Sequence, residues 1–300
     1  MVLGYWCAAG LETVSSWVWL RRGIVMSVMF LMALPLPLSM ITATLKRPWA
    51  ALLASGINFG ILPLIAWLLS GLVSDLFYAG FLVVAATPCT LASAAVWTRR
   101  AGGNEVTALM TTVITNSLAF LMTPLIVLLL LNQTAEISFG EMVFRLGLLV
   151  LLPISLAQLL AIRKQVASWA KARKKQLSVG AQIGILLIVL LGTAQTTLAI
   201  PGDQVPTLTE TIGLALTCAG LHLIVLVAGF WMARGARFNR ADQIAVALAG
   251  SQKTLMIGLL VCMFLNVSLL PMVIYHAVQL IVDTFIADWF ARTESGHDRS

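Results

Sequence analysis

Ala247-Leu248-Ala249-Gly250-Ser251-Gln252-Lys253-Thr254 sets a lysine and three other polar side chains in the middle of an apolar run that reads from about 243 to 265. A second stretch, Ala85-Ala86-Thr87-Pro88-Cys89-Thr90-Leu91-Ala92-Ser93, interrupts the run 76–98 in a similar way. Pro88 removes a backbone donor, and Gly250 weakens helix locally. An ammonium inside a membrane span costs ~2.5–3.5 kcal/mol on insertion scales, so it normally faces a cavity or a partner. Lys253 lies about ten residues from either end of its run, too deep to snorkel to an interface.

The surrounding composition excludes a soluble fold. Hydrophobic residues are 60% and charged residues 10% of the 300, against about 45–50% and about 25% in ordinary globular chains. With a mean hydropathy of +0.96, too few charges exist to coat a water-facing surface. Runs bounded by charge, Gly, Pro and Asn lie at about 2–9, 23–43, 49–72, 76–98, 106–131, 142–162, 179–199, 210–233, 243–265 and 271–291. They predict an all-α polytopic membrane protein of about ten transmembrane helices. Eight residues cannot cross ~30 Å of hydrocarbon, so the first helix is expected to be short or truncated.

Fifteen of the nineteen Lys and Arg residues fall in five places. These are Lys46/Arg47, Arg99/Arg100, the stretch from Arg163 to Lys175, Arg234/Arg237/Arg240, and Arg292/Arg299. They follow alternate spans, as cytoplasmic basic loops do, which predicts a multi-pass protein of the cell membrane with both termini cytoplasmic. Glu12, Asp75, Glu136, Glu141, Asp203 and Glu210 then fall on the opposite side, while Arg21/Arg22 and Arg145 break the pattern. No aromatics alternate with the basic residues as a nucleic-acid stacking surface requires. Cys7, Cys89, Cys218 and Cys262 sit in or beside apolar runs, with neither metal-ligand spacing nor a disulfide framework.

The acidic connection 132–141 divides the chain into five spans and five. An odd-numbered repeat inserts upside down relative to its partner, and carriers built so often break corresponding helices at mid-membrane. The expected organisation is a first inverted repeat over 1–131 and a second over 132–292. The second includes a basic cytoplasmic linker at 163–178, and a polar tail follows at 293–300.

Other polar residues within spans extend this picture. Thr111, Thr112, Thr115 and Asn116 form a belt in the fifth span, and Thr112 and Asn116, four apart, share a helix face. Binding and interhelical hydrogen bonding both suit such a belt. Tyr275, His276, Gln279 and Asp283 make a polar stripe in the tenth span. Asp283 can pair with Lys253, or with His276 two turns earlier on the same face. His222 reads as a satisfied core histidine. Catalytic signatures are missing: no HExxH, no GxSxG elbow and no phosphate-cradling glycine loop occur. A Ser/Lys dyad has no evident oxyanion hole, so an enzyme is not expected.

At these residues the chain resembles the bile acid:sodium symporter family, especially its divergent SBF-like branch, from about residue 25 to 292. The matching parts are Thr90–Thr98 followed by Ala101-Gly102-Gly103-Asn104-Glu105, then Gly250–Leu255, Tyr275–Asp283, and Asn58-Phe59-Gly60-Ile61-Leu62-Pro63. The resemblance implies a panel domain, from the first, second, sixth and seventh helices, and a core domain in which broken fourth and ninth helices cross. By the same resemblance, Ser93, Thr112 and Asn116 fall where relatives line one sodium site. Asn58 and Gln252 fall at the other, with Ala249 and Ser251 offering backbone carbonyls. Leu248 stands where classical members carry a glutamate bridging both ions, and Ala94 where they carry an asparagine. A hard cation wants several oxygens and usually a carboxylate, whereas Lys253 brings a fixed ammonium instead.

These readings predict a secondary active transporter of an amphipathic organic anion, working by alternating access in a lipid bilayer. The protein is expected to be a monomer or homodimer without a cofactor, with Na+ or H+ as the coupling ion. The candidate substrate- and ion-binding residues are Asn58, Thr90, Ser93, Thr112, Asn116, Ser251, Gln252, Lys253 and Thr254, with His276 and Asp283 as proton or charge partners. The alternative is a membrane-embedded regulatory protein that binds a ligand without moving it, which would need no paired breaks. The charge pattern also fixes a topology. A cysteine introduced at Ser178 is expected to resist impermeant maleimide on intact cells and to react after permeabilisation; ready labelling from outside would overturn it.

Overall fold

The structure, a computed structural model, describes residues 17–36, 48–91, 93–131, 138–199 and 206–297. The expected first span at 2–9, most of the acidic connection and the last residues of the tail lie outside the described residues. Within them every regular element is helical. Twelve helices follow in order. The first six are α1 (Val18–Ala33), α2 (Trp49–Leu72), α3 (Asp75–Ala86), α4 (Ser93–Arg100), α5 (Glu105–Leu131) and α6 (Phe139–Ala161). The rest are α7 (Lys164–Ala172), α8 (Lys174–Ala199), α9 (Leu208–Gly235), α10 (Arg240–Ser251), α11 (Leu255–Leu265) and α12 (Leu270–His297).

Among the described residues, seven helical spans are long and apolar enough to cross a bilayer: α2, α5, α6, α8, α9, the interrupted pair α10–α11, and α12. This is a multi-pass membrane protein. Tryptophans 17, 19, 49, 231 and 289 are exposed near helix ends, as in the aromatic belts that anchor spans at the interface. The middle of the α10–α11 span is buried, whereas fewer than half of the residues in the corresponding stretches of the other six are. The helix carrying Lys253 is therefore the centre of the molecule.

Two spans widen for one turn, α2 at Ile57–Ile61 and α6 at Gly147–Leu151. Each widening runs up to a proline, Pro63 or Pro153. A proline ring clashes with the carbonyl four residues back and supplies no N–H, and a π turn absorbs both effects without ending the helix. In α3 the chain leaves the helix at Thr87 (ψ 155°), immediately before Pro88. Pro88 pushes the preceding residue toward extended backbone. The α10 helix likewise opens at Gln252 (ψ 146°) and resumes at Leu255.

The basic stretch expected as a linker contains a helix, α7, with Ala170 buried beside Leu34, Ala157 and Leu177. Val166 and Ala170 lie four apart and give it one apolar stripe, enough to dock it while the lysines stay exposed. Helices α1, α6 and α8 pack together, while α9 and α10 pack with α2, α4, α5 and α12. α3 lies against α12, where a Cβ on Gly80 would be 2.4 Å from the Ser268 carbonyl oxygen and 3.0 Å from Pro271. Gly80→Ala must therefore displace backbone, at a cost of about 1–3 kcal/mol. The expected outcome is a melting midpoint several degrees lower. Gly56→Ala, which meets open space, should hold or raise it. Equal midpoints for the two variants would refute the tight α3–α12 contact.

Candidate functional site

A break in a membrane helix strands peptide groups, and each buried one needs a partner. Ala85 O has lost its helical donors, because Pro88 has no N–H and Cys89 N–H donates to Thr115 Oγ1 (3.3 Å). The Ala86 carbonyl accepts from Thr123 Oγ1 (2.9 Å), and the Pro88 carbonyl from the Thr254 N–H (2.9 Å). Asn116 Nδ2 donates to Cys89 O (2.8 Å) and Thr112 Oγ1 to Thr90 O (3.0 Å). The carbonyls of Ala85 and Thr87 remain, and both accept from Lys253 Nζ at 2.7 Å.

The third acceptor of Lys253 comes from α2. The wide turn there gives the Leu62 N–H to Ile57 O, and Pro63 has no N–H to offer. Asn58 O is thus orphaned by the local sequence, and it accepts from Lys253 Nζ at 2.7 Å, with Asn58 Oδ1 at 3.2 Å. An ammonium has three donors, and here three carbonyl oxygens stand at short hydrogen-bond distance around it. A neutral amine, with two, would leave one carbonyl unpaired. Lys253 is fully buried.

The second break is satisfied in the same manner. Asn58 Nδ2 donates to Gly250 O (3.2 Å) and Gln252 O (2.9 Å). Tyr275 OH donates to Ser251 O (2.8 Å). Gln279 brackets the lysine's own backbone, accepting from its N–H (2.9 Å) and donating to its carbonyl (3.0 Å). Thr254 touches the other break through its backbone rather than its hydroxyl.

Asp283 does not pair with Lys253 or His276, the two partners expected from sequence. Its Oδ1 lies 2.9 Å from His222 Nε2, and its Oδ2 accepts from Gln252 Nε2 (2.5 Å). The one-face argument placed His276 correctly on the stripe, but His276 Nδ1 faces Gln279 Nε2 at 2.9 Å. His222, read as a solitary core residue, is thus half of a buried acid–imidazole pair. Gln252 carries the connection onward, its Oε1 accepting from Ser93 Oγ (3.0 Å), which lies 3.1 Å from Thr90 Oγ1.

Of the sequence-selected residues, Asn58, Gln252 and Lys253 therefore meet directly, and Thr112 and Asn116 reach the same region through the first break. Asn116 Oδ1 is buried without a hydrogen-bond partner among the described residues. Ser251 contributes its carbonyl, while its hydroxyl turns back to Ala247 O (2.9 Å). Sequence reasoning missed the carbonyls of Ala85 and Thr87. The signal was present, since a proline at 88 strips donors from the turn before it. His222 carried no such mark.

The SBF-like CPA transporter family matches residues 7–292. The chain belongs to that family. The Escherichia coli protein named "Putative symporter YfeH" is 30% identical over 235 residues, covering 76% of this chain and 70% of the relative. Sodium/bile acid cotransporter 7-B of Xenopus laevis is 24% identical over 75% of this chain and 64% of its own length. Sodium/bile acid cotransporter 7 of Rattus norvegicus is 24% identical over 77% and 68%. Membership makes this a transporter-family protein and not an enzyme.

The buried pair offers a direct test. Removing one partner of such a pair leaves the other polar and unsatisfied, at about 3–5 kcal/mol, whereas replacing both with apolar residues is often near neutral. His222→Leu or Asp283→Leu alone is expected to lower the melting midpoint sharply in detergent. The double variant should recover much of the loss, and strictly additive losses would show that the two residues are not coupled.

Proposed function

We propose that this protein is a carrier for an amphipathic organic anion, working by alternating access, in which Lys253 supplies the positive charge that a coupling cation would otherwise bring. One observation carries the reading: three backbone oxygens, one from the wide turn of α2 and two from the break after α3, converge on one ammonium carried by the break between α10 and α11. Oxygens so gathered repel one another unless a cation sits among them. Here the cation is covalently attached.

The finer architecture belongs to the same proposal. Ten helices in two inverted five-helix repeats, with α1, α6 and α8 as panel, α7 docked on them, and the remaining helices as core, accommodate the observed packing. The direct bond between the Thr254 N–H and the Pro88 carbonyl supports crossing breaks in spans four and nine. Cytoplasmic termini and the cell membrane follow from the basic-residue pattern. The names of the sodium/bile acid cotransporters support an anionic substrate with a large apolar body.

Coupling has two readings within this framework. If Lys253 keeps its charge through the cycle, transport is sodium-independent, either as uniport or with protons handled at Asp283 and His222. The unpartnered Asn116 Oδ1, beside Thr112, supports the second reading, in which one sodium ion is still used at the first break. The test is counterflow uptake of a panel of organic anions into proteoliposomes. Uptake should survive replacement of sodium by choline, and Lys253→Met should abolish it. Steep sodium dependence in the unmodified protein would overturn the sodium-independent reading, and failure to take up any anion in the panel would overturn the carrier assignment.

A further inference from the structure

Helix α7 and its two flanks carry Arg163, Lys164, Lys171, Arg173, Lys174 and Lys175, and all six side chains are exposed. No carboxylate stands near enough to balance them. The sequence holds no Asp or Glu from 142 to 202, and none from 13 to 74. Those stretches take in α1, α7, α8 and all of α6 beyond its first turn, and α1, α6 and α8 are the helices on which α7 docks. Glu141, in that first turn, pairs with Arg145 at the end of α6 remote from α7. Other basic clusters are built differently. Arg99 pairs with Glu105 and Arg100 with Asp288, while Arg234 and Arg240 lie over aromatic rings.

Placement matters as much as charge. Only Ile162 and Arg163 separate α6 from α7, and only Arg173 separates α7 from α8. The helix is therefore held level with the ends of two membrane spans. Val166 and Ala170 form the docked stripe, and Trp169 stands at its edge, exposed, with Arg173 over its ring at 5.1 Å. Ile162 and Leu159, on the last turn of α6 and just beyond it, are exposed as well. Tryptophan at the border between apolar and basic surface marks the head-group level of a bilayer.

We propose that α7 and its flanks dock onto anionic phospholipid head groups, with the six basic side chains among the phosphates and Trp169, Ile162 and Leu159 at the acyl boundary. Six like charges so close repel one another, and phosphates drawn among them remove that cost. A soluble polyanion would answer the charge but leave the apolar border bare, whereas a lipid satisfies both. The leaflet at this end of the spans is also within a Debye length of the lysines wherever the protein sits in a bilayer. Because α7 docks on α1, α6 and α8, head groups held here tie that three-helix unit to the leaflet, and not the helices that carry the breaks. The surface stands on its own residues and does not require the carrier reading.

The test titrates the purified full chain, in a non-ionic detergent, with phosphatidylglycerol, using phosphatidylcholine as reference and native mass spectrometry to count bound lipid. Each basic residue near an anionic surface is worth about fivefold. The triple variant Lys171→Gln/Lys174→Gln/Lys175→Gln is therefore expected to weaken phosphatidylglycerol at least about tenfold and to leave phosphatidylcholine unchanged. Lys171→Arg/Lys174→Arg/Lys175→Arg keeps the charge and should keep the affinity. Unchanged phosphatidylglycerol affinity in the glutamine variant overturns the proposal, and heparin binding lost in that variant would then assign the surface to a soluble polyanion. Equal loss for both lipids also overturns it. Should the glutamine variant fold poorly, lysine acetylation of the unmodified protein in liposomes decides. Slower modification of Lys171, Lys174 and Lys175 in phosphatidylglycerol than in phosphatidylcholine supports the surface, and equal rates overturn it.

Discussion

A peptide group stranded in hydrocarbon has no water to turn to, and the two broken helices strand several at once. Each unpaired buried group would cost about 1–3 kcal/mol, so a handful would exceed much of the stability of an ordinary domain. The sequence meets this constraint with side chains from neighbouring helices. Asn58 serves Gly250 and Gln252, Asn116 serves Cys89, Thr123 serves Ala86 and Gln279 serves Lys253. Each bond also fixes where its own helix must lie. The positions of α2, α5 and α12 around the breaks follow from this single demand.

Lys253 answers the same demand and adds a charge. It and Asp283 are both fully buried, yet they do not touch; the Gln252 side chain reaches Asp283, while Lys253 turns to the three carbonyls. Separating the charges leaves each with hydrogen bonds of its own, which is what makes burying an ion tolerable. On the proposed reading this has a thermodynamic consequence. A sodium ion can be bound on one side and released on the other, and that exchange is how its gradient does work. An ammonium tethered to the chain stays with the protein, so it preserves the geometry of a cation site while removing that ion from the coupling.

Much of this was legible in sequence because the bilayer leaves few alternatives. The span read at 49–72 coincides with α2, and the breaks at Pro88 and near Gly250 fall where the helices open. Lys253 was marked by its depth alone. Its partners were harder to see, since they are main-chain carbonyls and any residue type can supply one. Asp283 was misassigned for a related reason: helix periodicity gives neighbours on its own helix, but His222 comes from α9, sixty-one positions away in sequence. Only the packing of α9 against α12 brings them together. The helix α7 was hidden by its lysines, whose charge density reads as loop even though Val166 and Ala170 supply one apolar stripe.

The distribution of polar contacts also suggests which parts can move together. Hydrogen bonds tie α2, α3, α5, α9, α10, α11 and α12 into one network around the breaks, and breaking any of them in a dry interior is costly. The seam toward α1, α6 and α8 is built differently. There Gly192 sits so close to Leu269 that a Cβ would fall 2.6 Å from Leu269 Cδ1, and Leu269, Met263 and Phe264 present apolar faces. Apolar contacts can be exchanged without stranding a polar group, so repacking them costs less than breaking a buried hydrogen bond. On the proposed carrier reading, a unit held by directional bonds beside a seam of apolar contacts is the arrangement that alternating access would use.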